Sequence, residues 1–320
     1  MAYFPYMRGK QYELIALRDM CEFVVNNTLI SPIIEPVRKN YSTLIKTLGI
    51  LKNNHINFNV ILNPQVSKGE IDEDNYSDCT ASILPAVNGY MNWQPAYIIN
   101  DKVTIASIDN AIEANSFQNI TLIIKSPPNN EDEFLRLLQN RKIKHAILND
   151  DSSVRRLSRK IRGYSDNLIF LADRFNLKTP NSAYINPEDE FFSDDHLFYK
   201  EEGYQGFSDY LTIGEPYTDG GFLPYSVAVH LTYFVKDSKV MRIRHFLSDS
   251  NDDTNDTPGK VFEALTKLVT FVDSYEIKSK AIDKFREIHE KETYPGLGSL
   301  KKLSMLNHIE LIYNFLSEAE

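Results

Sequence analysis

The sequence predicts an α/β protein in which eight parallel strands close into a TIM-barrel-like (β/α)8 fold, with an added β-hairpin and C-terminal helices. Short runs of Ile, Val, Leu and Phe recur before residue 215, and a helical pattern follows most of them. Runs that are apolar throughout, rather than at alternate positions, are typical of strands covered on both faces in a parallel sheet. Because eight such units follow each other with little sign of a two-layer break, a closed barrel is favoured over an open doubly wound sheet.

The predicted strands share an apolar, β-branched composition, and each stops at a polar or turn residue. In chain order they cover residues 3–7, 32–36, 58–62, 97–99, 120–124, 144–148, 167–172 and 210–213. Apolar residues at spacings of three or four predict helices between them. These helices cover residues 10–27, 40–54, 106–114, 131–141 and 152–162. The stretch 65–94 predicts a long loop and 179–206 an acidic, aromatic insertion, and such insertions often cover a functional face.

The pattern changes after the eighth predicted strand. A turn-rich loop at 217–224 precedes two runs, 225–235 and 240–247, that predict an antiparallel hairpin. The acidic stretch 248–257 that follows predicts an exposed loop.

Three helices are predicted to complete the chain. The first is expected to begin at Pro258, and the others cover 278–291 and 300–317, the last of them capped by Ser299. We expect a single domain, which divides as a barrel core at about 3–215 and the hairpin with C-terminal helices at about 216–320.

Composition narrows the function classes. A formal charge of −9 argues against general electrostatic binding to duplex nucleic acid or anionic lipid, although a local basic pocket is compatible with it. Cys21 and Cys79 lack the spacing of a disulfide framework or a zinc site. No apolar stretch reaches about 18 residues, so no membrane span is predicted. Arg8 and Lys10 follow the first apolar run instead of preceding it, which is unlike a signal peptide, so we expect a cytoplasmic protein without a membrane partner.

Polar residues follow every predicted strand. In a parallel barrel these positions share one face, where active sites are found. In strand order they are Arg8 with Lys10, Glu35, Asn63, Asn100 with Asp101, Lys125, Asn149 with Asp150, Asp173 with Arg174, and Glu215. The sequence therefore predicts a polar mouth with charges of both signs. We expect Arg8, Lys10, Asn63, Lys125 and Glu215 to bind a phosphate-bearing ligand.

Glu35 is the most informative of these residues. It lies between Ile34 and Pro36 in an otherwise apolar run, where a carboxylate is costly unless it is paired or coordinated. One interpretation is a buried ion pair with Arg8 or Lys10 that ties two strands together. The other is a catalytic or metal-binding acid, with the two cations holding a phosphate or carboxylate. The two interpretations are compatible, and both stay open.

A metal site and a proton carrier are further possibilities at the mouth. Asp173 and Asp150 are candidate oxygen ligands for Mg²⁺ together with Glu35, although an ordinary helix-capping role is favoured for such residues. The cofactor is otherwise undetermined. His245, with His230 on the same predicted hairpin, is a candidate proton carrier, and the alternative is a structural histidine. The sequence contains no GxSxG, GxGxxG or GxxxxGK[ST] motif, which disfavours serine hydrolases and the standard nucleotide-binding loops.

Several short stretches resemble the beta family proteins, an uncharacterised group found in bacterial and phage mobile elements. They are YFPYMRGKQYELIAL, ISPIIEPV, FNVILNP, DYLTIGEPYTDGG, AVHLTYF and IRHFLSD, within about residues 3–270. The resemblance implies a role in antiviral defence beside a partner protein encoded nearby, and it implies no established catalytic activity. A remoter similarity is to glycerophosphodiester phosphodiesterase barrels. There, a strand ends in His-Arg-Gly, but Met7 stands at the histidine position and Val37 at that of a second acid.

Two functions are therefore expected, from different classes. The first is a defence or mobile-element protein whose barrel mouth binds a phosphate-bearing small molecule or a nucleic-acid end. If it is an enzyme, it is a phosphodiesterase or nuclease-like hydrolase, with Glu35 and Asp173 as base or metal ligands and His245 as proton carrier. The second is a non-catalytic sensor or scaffold that acts through a protein partner, with loop 248–257 and the C-terminal helices as its interaction surfaces.

Overall fold

A computed structural model describes residues 2–25, 28–66, 69–141, 143–163, 167–217 and 223–319. The strands are β1 (Tyr6–Arg8), β2 (Ile33–Glu35), β3 (Phe58–Ile61), β4 (Trp93–Ile99), β5 (Ile120–Ile124), β6 (Ile143–Asn149), β7 (Leu168–Ala172), β8 (Asp189–Ser193), β9 (Gly206–Asp209), β10 (Ala228–Phe234) and β11 (Met241–Leu247). The α-helices are α1 (Gln11–Met20), α2 (Ser42–Asn53), α3 (Tyr76–Val87), α4 (Ile105–Ala114), α5 (Glu131–Asn140), α6 (Ser152–Ile161), α7 (Asp195–Phe198), α8 (Thr257–Ser274), α9 (Lys280–Glu290) and α10 (Leu297–Glu318).

The contacts within the chain define two compact units. The first comprises Met1–Asp173 and Phe198–Asp209, and the second comprises Arg174–Leu197 and Tyr210–Glu320. The chain thus returns to the first unit to supply β9. The expectation of a single domain over residues 1–320 stays a prediction.

The first unit is the predicted barrel. Eight strands lie in the order β1-β2-β3-β4-β5-β6-β7-β9, and every neighbouring pair is parallel. A parallel bridge between Tyr3 and Phe207 brings the chain before β1 beside β9, so that the barrel is nearly closed. At this seam the Tyr3 hydroxyl donates to Asp209 at 2.9 Å, and the Ser208 hydroxyl donates to the Phe4 carbonyl at 2.5 Å. The TIM-barrel-like prediction is confirmed.

Contacts between strands that are not neighbours identify the interior face. The Thr121 hydroxyl on β5 donates to the Asn59 side chain on β3 at 2.6 Å. The Phe4 ring lies 5.1 Å from the ring of His145 on β6. These side chains meet in the barrel interior. Because side chains alternate along a strand, the residues two positions before and after each of them also face inward.

The eighth barrel strand differs from the prediction. It is Gly206–Asp209, whereas the predicted strand, 210–213, forms a turn. A Cβ atom at Gly206 would lie 2.7 Å from the Ala2 carbonyl oxygen, so this strand needs a glycine where the chain closes. Tyr210 and Leu211 are fully buried in the turn, and their burial accounts for the apolar signal there.

One predicted helix boundary and one predicted loop were also wrong in the first unit. The first helix ends at Met20, not at residue 27. The predicted loop 65–94 contains α3, which holds Pro85 in its interior, and this proline hid the helical pattern.

The second unit contains the predicted hairpin and the C-terminal helices. Strands β10 and β11 pair antiparallel, as predicted, and β8 extends them to a three-stranded sheet in the order β10-β11-β8. Strand β8 lies in the stretch that was predicted as an insertion. Helix α10 begins at Leu297 after Gly296, so the predicted cap at Ser299 was wrong; the Ser299 hydroxyl donates to the Pro295 carbonyl at 2.9 Å. In the ranges that the structure describes, no helix is long and apolar enough to cross a membrane.

Candidate functional site

The carboxyl-terminal end of the barrel brings a carboxylate, a tyrosine and a lysine together. The Tyr6 hydroxyl on β1 donates to Glu35 Oε2 on β2 at 2.7 Å. The Lys125 ammonium, directly after β5, lies 4.8 Å from the centroid of the Tyr6 ring. Strands β1 and β5 are not neighbours, so this contact spans the interior. Arg8 faces the same way as Tyr6, two residues earlier, and is opposite Glu35 in the register.

Both carboxylate oxygens of Glu35 accept hydrogen bonds. Besides the Tyr6 hydroxyl, the Gln65 backbone N–H donates to Oε1 at 2.8 Å. Glu35 is only 4% exposed, so these bonds are needed to compensate for lost hydration. Both donors are neutral groups. An ion pair of Glu35 with Arg8 or Lys10 stays a prediction.

Gly9 explains the Arg-Gly-Lys motif at the end of the first strand. Its backbone N–H donates to the Glu35 carbonyl at 2.7 Å, which continues the ladder between β1 and β2. A Cβ atom at this position would lie 3.3 Å from Pro36 Cα, closer than most side chains tolerate. Glycine therefore allows the chain to pass close to β2 before α1 begins.

Glu13 is a site residue that the sequence analysis missed. It lies in the first turn of α1, is 5% exposed, and accepts a hydrogen bond from the Arg8 backbone N–H. Burial raises the pKa of its carboxyl to about 7, because the charges of Arg8 and Lys10 offset only part of the lost hydration. The signal was present, since an acid at the third helical position commonly turns back to the amides before the helix.

Asn63 has a structural role in this site. Its side-chain amide donates to the Ile98 carbonyl at 2.9 Å, and its oxygen accepts from the Ile98 N–H at 2.8 Å. The side chain thereby joins the end of β3 to β4. The loop after it is fixed as well, because Gln65 donates to the Tyr76 hydroxyl at 2.7 Å. Ligand binding by Asn63 stays a prediction.

The candidate metal ligands do not form a cluster with Glu35. Asp150 pairs with Arg155 at 3.1 Å, and Asp173 is exposed directly after β7. Within the described part of the chain, no three His, Cys, Asp or Glu side chains are arranged to hold a metal ion. Mg²⁺ therefore stays a candidate from the sequence alone.

Two predicted site residues, His245 and Glu215, belong to the second unit. His245 is fully buried on β11, and its ring nitrogens contact His230 at 2.8 Å and Glu190 at 3.1 Å. Glu215 accepts a hydrogen bond from the Tyr210 hydroxyl at 3.1 Å. Their expected roles, as proton carrier and ligand-binding residue, stay predictions.

No protein-family model matches this chain, and a search of curated proteins found no significant match. The barrel fold is the part of the resemblance to beta family proteins that the structure supports.

A double-mutant cycle tests the Tyr6–Glu35 hydrogen bond. We expect Tyr6→Phe to lower the free energy of unfolding by about 1–3 kcal/mol, because a buried carboxylate loses one of its donors. In a Glu35→Gln background the same change should cost less, and urea denaturation measures both effects. Tyr12→Phe, on α1, is the matched control and should be nearly neutral. Additive effects of the two substitutions would show that the bond contributes nothing to stability.

The pH dependence of stability tests the environment of Glu13. A glutamate in the unfolded chain ionises near pH 4.3, so between there and about pH 7 the folded protein binds the extra proton. Stability should therefore fall as pH rises through this window, and level off above it. We expect Glu13→Gln to remove roughly 2 kcal/mol of this loss, measured by urea denaturation at about pH 5 and about pH 8. Glu201→Gln, an exposed control, should keep the wild-type slope; a Glu13→Gln slope equal to wild type would contradict the raised pKa.

Proposed function

We propose that the barrel mouth binds a small phosphate-bearing ligand and performs acid–base chemistry on it. The observation that carries this proposal is the convergence on Tyr6 of the Lys125 ammonium and the Glu35 carboxylate, inside the carboxyl-terminal end of the barrel. This is the end at which barrels of this fold hold their active sites. The fold supports only the location, and the side chains support the chemistry.

The cations suit a phosphate. Arg8 is 5% exposed, and a guanidinium in such a setting offers paired donors to two oxygens of one anion. Lys125 contributes a point charge from the far side of the mouth. A hydrogen bond between this ammonium and a charged phosphate oxygen is of a kind that contributes about 1.5–3 kcal/mol.

The two carboxyl groups suit an acid and a base. Glu13, with its pKa raised to about 7 by burial, can donate or accept a proton near neutral pH. Glu35 accepts hydrogen bonds from two neutral donors and is the candidate base. Two carboxyl groups with different environments are the usual arrangement for general acid–base catalysis. We therefore favour a hydrolase that acts on phosphoester bonds, as the sequence suggested.

The biological setting rests on the resemblance alone. On that resemblance we propose an antiviral or mobile-element role, membership of the beta family group, and a partner protein encoded nearby. A scaffold without a ligand in its mouth is the competing function, and the following experiment separates the two.

Thermal denaturation with a ligand panel tests the proposal. The panel contains inorganic phosphate, phosphate mono- and diesters, and nucleotides, each with and without Mg²⁺. Because a ligand at about 100 times its dissociation constant stabilises the native state by about 2.7 kcal/mol, at least one compound should raise the melting temperature by several degrees. We expect Lys125→Met to lose this shift.

Lys46→Met is the matched control, because Lys46 is exposed on α2, outside the mouth, and should leave the shift intact. If no compound shifts the wild-type protein, or if Lys125→Met keeps the full shift, the mouth is not the phosphate site and the scaffold function is favoured. If a compound does stabilise the wild-type protein, its turnover is measured with wild type and with Glu35→Gln.

A further inference from the structure

The second unit contains a hydrogen-bonded chain of three titratable side chains. His230 on β10 and His245 on β11 are opposite each other in the antiparallel register. Their Nδ1 atoms lie 2.8 Å apart. On the other side of the His245 ring, Nε2 lies 3.1 Å from Glu190 Oε1 on β8. We call Glu190, His245 and His230 the histidine relay.

The hydrogen bonds determine which nitrogens carry protons. An ionised carboxylate only accepts, so His245 Nε2–H must donate to Glu190. In a neutral ring the Nδ1 of His245 is then an acceptor, and His230 Nδ1–H donates to it. This leaves His230 Nε2 with a lone pair. Burial lowers the pKa of both imidazoles below the ordinary value, which keeps both rings neutral near pH 7.

His230 is the outer member of the relay. His245 is fully buried, whereas His230 is partly exposed. Among contacts within the described ranges, the Nδ1 bond is the one hydrogen bond of His230. The rings of Phe175 and Tyr184 pack against it, with centroids at 5.1 Å and 4.5 Å. The ring is therefore held between aromatic side chains, while its Nε2 has no protein partner within the described ranges.

Charged residues of both signs surround the relay, and Lys178 opposes a positive charge at either histidine. Glu190 and Asp189 on β8 favour a positive charge at His245. Lys178 and Lys301 oppose one at His230. Lys178 also lies 3.7 Å from Glu190 and 5.6 Å from the Tyr184 ring centroid. Protonation of His230 is therefore disfavoured when no ligand is bound. When it occurs, the negative charge of Glu190 can stabilise the imidazolium through the hydrogen bonds of His245.

We propose that the histidine relay is a second proton-transfer site, in which His230 Nε2 accepts the hydroxyl proton of a bound hydroxyl-bearing ligand. The O–H bond breaks and an N–H bond forms at Nε2. The oxygen keeps the electron pair, and His230 becomes an imidazolium that donates through Nδ1 to His245. The relay uses second-unit residues alone, so this inference does not depend on ligand binding at the barrel mouth.

Diethyl pyrocarbonate, which acylates unprotonated imidazole nitrogens, tests the relay in the full-length protein. Labelling is measured by peptide mass spectrometry at about pH 7 and about pH 5.5, with N-acetylhistidine added as internal reference. The reference should react about eightfold more slowly at the lower pH, because most of it is then protonated. We expect His230 to be labelled at both pH values with less than a twofold change in rate, and His245 to be protected.

Substitution of Glu190 tests whether its charge affects the reactivity of His230. Glu190→Gln keeps a hydrogen-bond acceptor for His245 but removes the charge, so labelling of His230 should slow several-fold. Glu188→Gln is the control, since Glu188 pairs with Arg244 at 3.0 Å and takes no part in the relay.

Circular dichroism establishes that both variants are folded; should Glu190→Gln fail to fold, the wild-type labelling pattern still decides. An unlabelled His230, a labelled His245, a His230 rate that follows the reference, or an equal effect of the two glutamate substitutions would each overturn the proposal.

Discussion

The burial of one carboxylate governs the open end of the barrel. Glu35 is 4% exposed at the end of β2, so its oxygens need donors that the surrounding chain must supply. The Tyr6 hydroxyl and the Gln65 N–H supply them. The first bond fixes the Tyr6 ring, which then receives Lys125 from across the barrel. Gly9 passes close to Pro36 where the chain leaves β1 for α1. In α1, Glu13 then accepts a hydrogen bond from the Arg8 backbone N–H.

The mouth holds charged and titratable groups close together. The hydrogen bonds of Glu35 come from neutral groups, while Lys125 lies on the face of an aromatic ring. Glu13 adds a carboxyl whose pKa burial raises to about 7. Charges and protons held in this way in a nearly closed barrel destabilise the fold somewhat, as buried titratable groups generally do. That cost is characteristic of functional sites and is the physical reason for proposing one here.

The positions of Arg8, Glu35 and Lys125 could be predicted from the sequence because they depend on the geometry of a parallel barrel, whereas their functional roles stay predictions. Side chains after parallel strands share one end, and the interior contacts of Tyr6 and Lys125 put Arg8, Glu35 and Lys125 on the same face. Glu13 was missed because the candidate site residues were sought at the ends of predicted strands, and Glu13 lies in the helix that follows β1. Its burial depends on the tertiary packing of α1 beside the end of β1, which no local pattern in the sequence shows.

The rest of the molecule was harder to predict, for a different reason. Strand β8 is short, acidic and aromatic, and it is a strand because β11 supplies partners about fifty residues away; Arg244 and Asp189, for instance, are paired across 55 positions. No local pattern reveals such a pairing. The eighth barrel strand was misplaced by four residues because Gly206 weakens its apolar signal, although closure requires a glycine there.

A crystal structure of the protein soaked in tungstate, a phosphate analogue with strong anomalous scattering, tests the central claim most directly. The account predicts an anomalous peak in the barrel mouth, within hydrogen-bond distance of the Arg8 guanidinium and the Lys125 ammonium, with Lys125 displaced from the Tyr6 ring. A mouth without a peak, in crystals where tungstate binds elsewhere on the surface and Lys125 stays on the Tyr6 ring, would contradict it.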